Sequence, residues 1–225
     1  MNRRQLLKTL LATSSVIIYS WYSLPETILD KTNSSSQKLP RHFIGLGNAG
    51  AQIVKHFHAQ GITGKFTIVS TDCPREFSSE IDFVQLDVTS KVVRYSDGKK
   101  LYLIPDENAE LVIPNRVIDL LQKDEQFILL AGLGGSSGSK LMQVLTLKLH
   151  KEDKMFHSIC SLPFRFEGVK RRKTAIKALN DIHHFKNVHL FELETLRAKH
   201  GNLVLSNAFE KGNEEYMAIY NKLIF

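Results

Sequence analysis

Cysteine is scarce in this chain, with only Cys73 and Cys160 among 225 residues. The two lie far apart, form no CxxC pair and sit in or beside strand-like apolar sequence. That excludes a paired-thiol redox or zinc motif and leaves buried thiols as the expected state of both. Histidine is also thinly clustered. His183, His184 and His189 make the one local group, but helix neighbours point to different faces and no carboxylate or cysteine follows at ligand spacing, so no metal site is expected. A basic stripe with aromatics between its charges is absent too. The net charge is +7 and the densest cluster, Lys170-Arg171-Arg172-Lys173, sits at one predicted helix start, so nucleic acid is not an expected partner. The chain shows no internal repeat. Nor does it hold a long apolar run: Thr9 to Leu24, at 16 residues and interrupted by serines and threonines, falls short of the roughly 20 that span a bilayer.

That short run nevertheless has an informative setting. Asn2-Arg3-Arg4-Gln5-Leu6-Leu7-Lys8 precedes it, the order of a charged region and an apolar region in an export signal, and the arginine pair resembles the twin-arginine type. No small-x-small cleavage site follows, and Tyr19, Trp21 and Tyr22 suit an interfacial belt with Arg3 and Arg4 on the cytoplasmic side. Three readings stand: a cleaved signal, an uncleaved anchor, or an amphipathic segment lying on the surface. All three put residues 1–24 in contact with a membrane, on the cytoplasmic face for an anchor and on the periplasmic side for an export signal. Residues 25–40, with Asn33-Ser34-Ser35-Ser36-Gln37, read as a flexible tether to a domain over 41–225.

Within that domain two glycine runs carry the chemistry. Gly45-Leu46-Gly47-Asn48-Ala49-Gly50 follows the apolar His42-Phe43-Ile44 and opens the pattern Ile53, Val54, Phe57. Ala131-Gly132-Leu133-Gly134-Gly135-Ser136-Ser137-Gly138-Ser139 follows Phe127 to Leu130 and precedes Leu141 to Leu149. Each is a strand, a turn and a helix. Glycines let main-chain N–H groups converge on a ligand, and a helix start adds unpaired N–H groups and a positive dipole end, which together suit phosphate. In an open α/β sheet, loops at the carboxyl ends of neighbouring strands meet over one crevice, so both runs face one ligand. The first run also matches a dinucleotide fingerprint, with Asp72 at the end of Phe66-Thr67-Ile68-Val69 in the place of a ribose-binding acid. An NAD(P)-binding Rossmann oxidoreductase is therefore a second reading.

The rest of the domain alternates strands and helices. Strands are expected over 41–46, 65–71, 82–88, 127–132, 155–162 and 188–193. Helices are expected over 49–59, 115–123, 138–150, 170–185 and from about 205 onward. Residues 95–102 read as a short hairpin, and 89–114 fit the alternation least well. The fold class is α/β: a Rossmann-like, mostly parallel sheet with helices on both faces.

Pro163-Phe164-Arg165-Phe166-Glu167-Gly168 makes a resemblance specific. This segment, followed by a helix with Arg171, Ala175, Ala178, Leu179 and Ile182, resembles the tubulin/FtsZ superfamily, and bacterial FtsZ more than tubulin. The first glycine loop through Gln52, Ser70-Thr71-Asp72 and the run 132–139 resemble three further family motifs in the same order. The resemblance spans roughly 41 to 220, with 89 to 114 unmatched.

The resemblance implies GTP or GDP as the cofactor, with Mg beside it. It implies that Gly45, Gly47, Asn48, Gly50 and Ala51 bring N–H groups to the phosphates, that Gln52 reaches toward the nucleotide, and that Asp72 belongs to the site. Gly134, Gly135, Ser136, Ser137, Gly138 and Ser139 would complete the cradle. Glu167 would accept from ribose hydroxyls, Arg171 would pair with phosphate or ribose, Phe209 would stack on guanine, and Asn213 or Glu214 would meet the base edge; the alternative for Phe209 is an ordinary core position. Departures from the family pattern include serines for threonines and for a glycine in the second loop, Lys140 for its last glycine, and Glu192 and Glu194 where an asparagine is expected. A γ-phosphate-sensing loop has no counterpart in 98–114. Family hydrolysis needs acids from the next subunit, and the second domain with the catalytic acidic loop is not matched. The expectation is a membrane-associated GTP-binding protein that hydrolyses poorly alone, partnering an FtsZ-type filament subunit, or else a degenerate domain without nucleotide.

Overall fold

The most continuously apolar strands lie at the centre of the fold. The computed structural model describes residues 39–74, 76–86, 88–89, 93–97, 100–104, 110–201 and 205–224. The segment expected to reach the membrane, 1–24, and the tether as far as residue 38 lie outside these. Six parallel strands form the main sheet in the order β10 (Val188–Glu192), β9 (Phe156–Leu162), β8 (Gln126–Gly132), β1 (Arg41–Leu46), β2 (Lys65–Ser70) and β3 (Ile81–Gln85). Strands β1, β8 and β9 are buried on both faces. That is why β8 reads as a near-continuous apolar run rather than an alternating one, while β1 and β9 bury His42, Ser158 and Ser161 among their apolar residues.

Alternate side chains divide the core into two layers. Phe43, Ile68, Ile128 and Ile159 pack with Ile53, Val54 and Phe57 of α1 (Gly47–Ala59) and with Tyr216 and Tyr220 of α6 (Leu205–Ile224). On the opposite face, Ile44, Leu129, Ala131 and Cys160 pack with α2 (Asn115–Leu121), α3 (Ser136–Lys151) and α4 (Val169–Leu179). The expected fold class is the observed one. Small antiparallel pairs lie in the stretch that fitted the alternation least: β4 (Val88–Thr89) with β7 (Glu110–Leu111), and the hairpin β5 (Val93–Asp97) with β6 (Lys100–Ile104).

Some boundaries differ from expectation. The helix expected over 170–185 ends at Leu179, after which turns carry the chain to Phe185. A short helix, α5 (Leu193–His200), follows β10 without an intervening loop and was not anticipated. The thiol expectation holds for Cys160, which is buried, and fails for Cys73, which is exposed. Cys73 lies past the end of β2, so no sheet neighbours cover it.

The order of the main sheet fixes where a site can form. Chain order reverses between β1 and β8, and the register sets Gly45 level with Leu130. The loops leaving these two strands therefore emerge side by side and turn to opposite faces, which is the crevice where open α/β sheets hold ligands.

Candidate functional site

The first loop is short because α1 begins at Gly47, directly after β1. Gly45 permits this: a Cβ there would sit 2.4 Å from the Gly50 carbonyl oxygen, so only glycine lets β1 and α1 approach so closely. Gly47 adopts φ +70°, in the left-handed region. No side chain caps the start of α1, and its first turn holds no acid. A second anchor comes from β2. Ser70 Oγ donates to Asn48 Oδ1 at 2.7 Å, and Asn48 Nδ2 donates to Asp72 Oδ2 at 3.2 Å.

The second loop ends where α3 begins at Ser136, again with no side-chain cap and no acid in the first turn. Gly134 N–H donates to Ser139 Oγ at 2.8 Å, which ties the loop to the helix it precedes. The loops touch each other. A Cβ on Gly47 would stand 3.1 Å from the Gly138 Cα, and one on Gly138 would stand 3.0 Å from the Leu46 carbonyl oxygen. Two uncapped helix starts thus aim unpaired N–H groups and positive dipole ends into one space, an arrangement that favours a multiply charged anion.

That space is a cavity of about 540 Å³. Gly47, Asn48 and Gln52 line it from the first loop, Asp72 from the end of β2, and Gly135, Ser136, Ser137 and Gly138 from the second loop. Glu167 and Arg171 line it from the PFRFEG turn and the start of α4, and Phe209 and Asn213 from α6. Gly45, Gly50, Ala51, Gly134 and Ser139 stand behind this lining. Their part is to let elements approach and to hold the loops, and the Ser139 hydroxyl, expected to face the ligand, is buried against Gly134.

The polar rim is internally paired. Glu167 accepts from Phe164 N–H at 2.9 Å and from Arg171 Nη1 at 2.5 Å. Phe209 is 51% exposed beside the cavity, its ring 6.1 Å from that of Phe164 and perpendicular to it, so it is not a core residue. Glu214, the alternative to Asn213, pairs instead with Lys211 at 2.6 Å. Glu192 accepts from Arg172, and Glu194 accepts from the Arg165 N–H at 3.0 Å. This backbone bond, aided by Arg197, holds the Glu194 carboxyl below its usual range.

Sequence reasoning missed the floor. Tyr216 of α6 reaches the Ala131 carbonyl at 2.6 Å and Ser161 Oγ at 2.9 Å, closing the cavity beneath the ends of β8 and β9. Burial pushes its phenol well above the ordinary range. Leu193 and Pro163 complete the apolar wall. These contacts join residues as many as 85 positions apart, and no local pattern marks them. Among the described residues no three or more His, Cys, Asp or Glu side chains converge as metal ligands.

Fold and site together define a doubly wound α/β domain with an anion cradle at its switch point. The chain belongs to the Tubulin/FtsZ family, whose GTPase-domain sequence model matches residues 42–191. That match covers both glycine loops and the PFRFEG turn, and it sets aside the nicotinamide-dinucleotide reading. The chain is 25% identical over 174 residues to the mitochondrial division protein fszB of Dictyostelium discoideum, covering 74% of this chain and 46% of that one. It is 26% identical over 141 residues to the cell division protein FtsZ of Aquifex aeolicus, covering 62% and 38%. The chain thus spans half or less of the length of these relatives. Among solved structures, the empty FtsZ dimer of M. jannaschii superposes with a TM-score of 0.61 at 20% identity, covering 86% of this chain and 57% of that one. CetZ from Methanosaeta thermophila superposes with a TM-score of 0.59 at 16% identity, covering 83% and 54%. At such identities these two likenesses speak for the fold alone.

Proposed function

We propose that this domain binds a guanine nucleotide, GTP or GDP, in the cavity between its two glycine loops. The observation that carries the reading is the pair of uncapped helix starts, held in contact at Gly47 and Gly138 and facing one space. The phosphates lie against these N–H groups, and the base lies toward Phe209 and Asn213. A Mg companion takes its ligands mainly from phosphate oxygens and water, as this hard cation commonly does.

Hydrolysis by the domain alone is slow in this reading. The acids lining the cavity are Asp72 and Glu167; Asn48 holds one, and Phe164 and Arg171 hold the other. In this reading neither serves as the general base, a second subunit of an FtsZ-type filament supplies the acid, and this chain acts as its partner or modulator. Residues 1–24 bring the chain to a membrane, holding it on the cytoplasmic face as an uncleaved anchor or surface-lying segment, or directing it to the periplasmic side as an export signal.

Titration of the purified full chain with a fluorescent GDP analogue tests the nucleotide. The expected result is saturable binding displaced by GTP and GDP but not by ATP or NADH. Absence of binding, or displacement by NADH, overturns the proposal. Phosphate release from GTP is expected to stay near background alone and to rise when a filament-forming family member is added.

A further inference from the structure

Helix α4 carries five of the chain's basic residues in eleven positions and no acid. Its inner face is committed: Ala175, Ala178 and Leu179 are buried, Arg171 pairs with Glu167, and Arg172 pairs with Glu192. The outer face is of a different kind. Val169, Lys170, Lys173, Thr174 and Lys177 line one shallow groove along it, at the spacing of a single helix face. No ion pair engages Lys173 or Lys177 among the described residues. Exposed apolar groups stand among these charges: Val169 is 73% exposed, Phe166 55% and Ile176 46%. Isolated exposed apolar residues are ordinary, but Val169 lines the same groove as the lysines, and Phe166 and Ile176 lie close to it along the chain. Basic charge with apolar side chains between matches an anionic interface, where lysine heads meet headgroups and apolar groups enter the acyl boundary.

We propose that the outer face of α4 docks on a bilayer containing anionic phospholipid. The inference extends the reading that residues 1–24 hold the chain at a membrane. The 25–40 segment reaches at most roughly 55 Å when fully extended, so a domain held through it meets the bilayer at high effective concentration. Weak charge attraction then suffices to orient it.

The test is vesicle co-sedimentation of the full chain, on pure phosphatidylcholine and on phosphatidylcholine mixed with phosphatidylserine, at low and high salt. The expected result is about tenfold tighter partition onto the phosphatidylserine vesicles, weakened by salt. The double substitution Lys173→Glu with Lys177→Glu removes that preference, while Lys173→Arg with Lys177→Arg keeps it. Both positions are exposed, and thermal melting checks that the variants remain folded. Equal partition onto the two vesicle types overturns the proposal and leaves the N-terminal attachment standing. A phosphatidylserine preference that survives charge reversal overturns it too, and assigns the attraction to Arg3, Arg4 and Lys8. Preference for phosphatidylserine without any partition onto neutral vesicles supports the α4 surface, provided charge reversal removes it, and argues against residues 1–24 as an anchor. No partition onto either overturns both. Charge-reversal-sensitive binding to duplex DNA with none to vesicles assigns the face to nucleic acid and rejects lipid.

Discussion

His42 Nδ1 lies 2.7 Å from Glu125 Oε2, and both side chains are 4% exposed. The pair sits where β1 and β8 begin, at the opposite end of the sheet from the cavity. Thr67 Oγ1 meets the other ring nitrogen at 2.8 Å, and Lys65 reaches the second Glu125 oxygen. One neutral tautomer satisfies both ring contacts, with Nδ1 donating to the carboxylate and Nε2 accepting from the hydroxyl. Burial holds the His42 pKa below its ordinary value despite the pull of Glu125. Burial also acts to raise Glu125, but hydrogen bonds from Lys65 and His42 outweigh it and keep that carboxyl below its usual range.

Acid should therefore destabilise the domain in two stages. A histidine whose folded pKa is depressed binds its proton more readily in the unfolded chain, so its contribution is present above about pH 6.5 and is lost as pH falls from there toward the folded value. His157 and His189, also lowered by burial, add to the same slope. Glu125 contributes above about pH 4.3 and its share is lost at still lower pH. Urea midpoints are expected to be flat from about pH 8 to 7 and to fall as the pH drops below about 6.5. His42→Gln should lower the plateau and make the fall shallower; an unchanged slope refutes the assignment.

The glycines of the two loops should separate by role. Gly45→Ala forces a Cβ onto the Gly50 backbone and is expected to cost about 1–3 kcal/mol in chemical unfolding. Gly135→Ala meets nothing within 4 Å and should stay within about 0.5 kcal/mol of the parent. Equal costs for the two would contradict the close packing of β1 on α1.

Phe209→Ala tests the base side of the cavity. The ring is half exposed, so truncation should leave the melting temperature nearly unchanged while weakening fluorescent-GDP binding about tenfold, the scale of one lost aromatic stack. A large loss of stability with intact binding would return this ring to the core.

Tyr216→Phe removes a hydroxyl that serves both the Ala131 carbonyl and Ser161. A destabilisation of about 1–2 kcal/mol is expected by urea titration, since the hydroxyl and its Ser161 partner are both buried and lose a hydrogen bond. The Tyr216→Phe, Ser161→Ala double variant should cost less than the sum of the two singles.

Most of the sheet was legible because β8 is apolar from Phe127 to Ala131, and β1 and β8 each run into a glycine loop. The loops were legible for the same reason: glycine followed by an apolar helical period signals a turn into a helix. What escaped depended on distance or on weak local signals. Helix α5 follows Glu192 with no turn residue to announce it, and α4 stops at Leu179 although the apolar period runs on to Ile182. Cys73 looked buried because its neighbours in β2 are, yet the strand had already ended. Of the residues called for ligand contact, Ser139 and Gly134 serve each other instead, which only the folded loop reveals. The cavity floor rests on Tyr216, whose partners come from strands far earlier in the chain.

The meeting of Gly47 with Gly138 carries a lesson for engineering this domain. Main-chain atoms of each loop occupy the room that a side chain at Gly47 or Gly138 would need, so neither glycine can be exchanged freely whatever residue stands at the other. Libraries meant to redirect ligand preference should keep both positions as glycine and place their diversity at open neighbours such as Gly135.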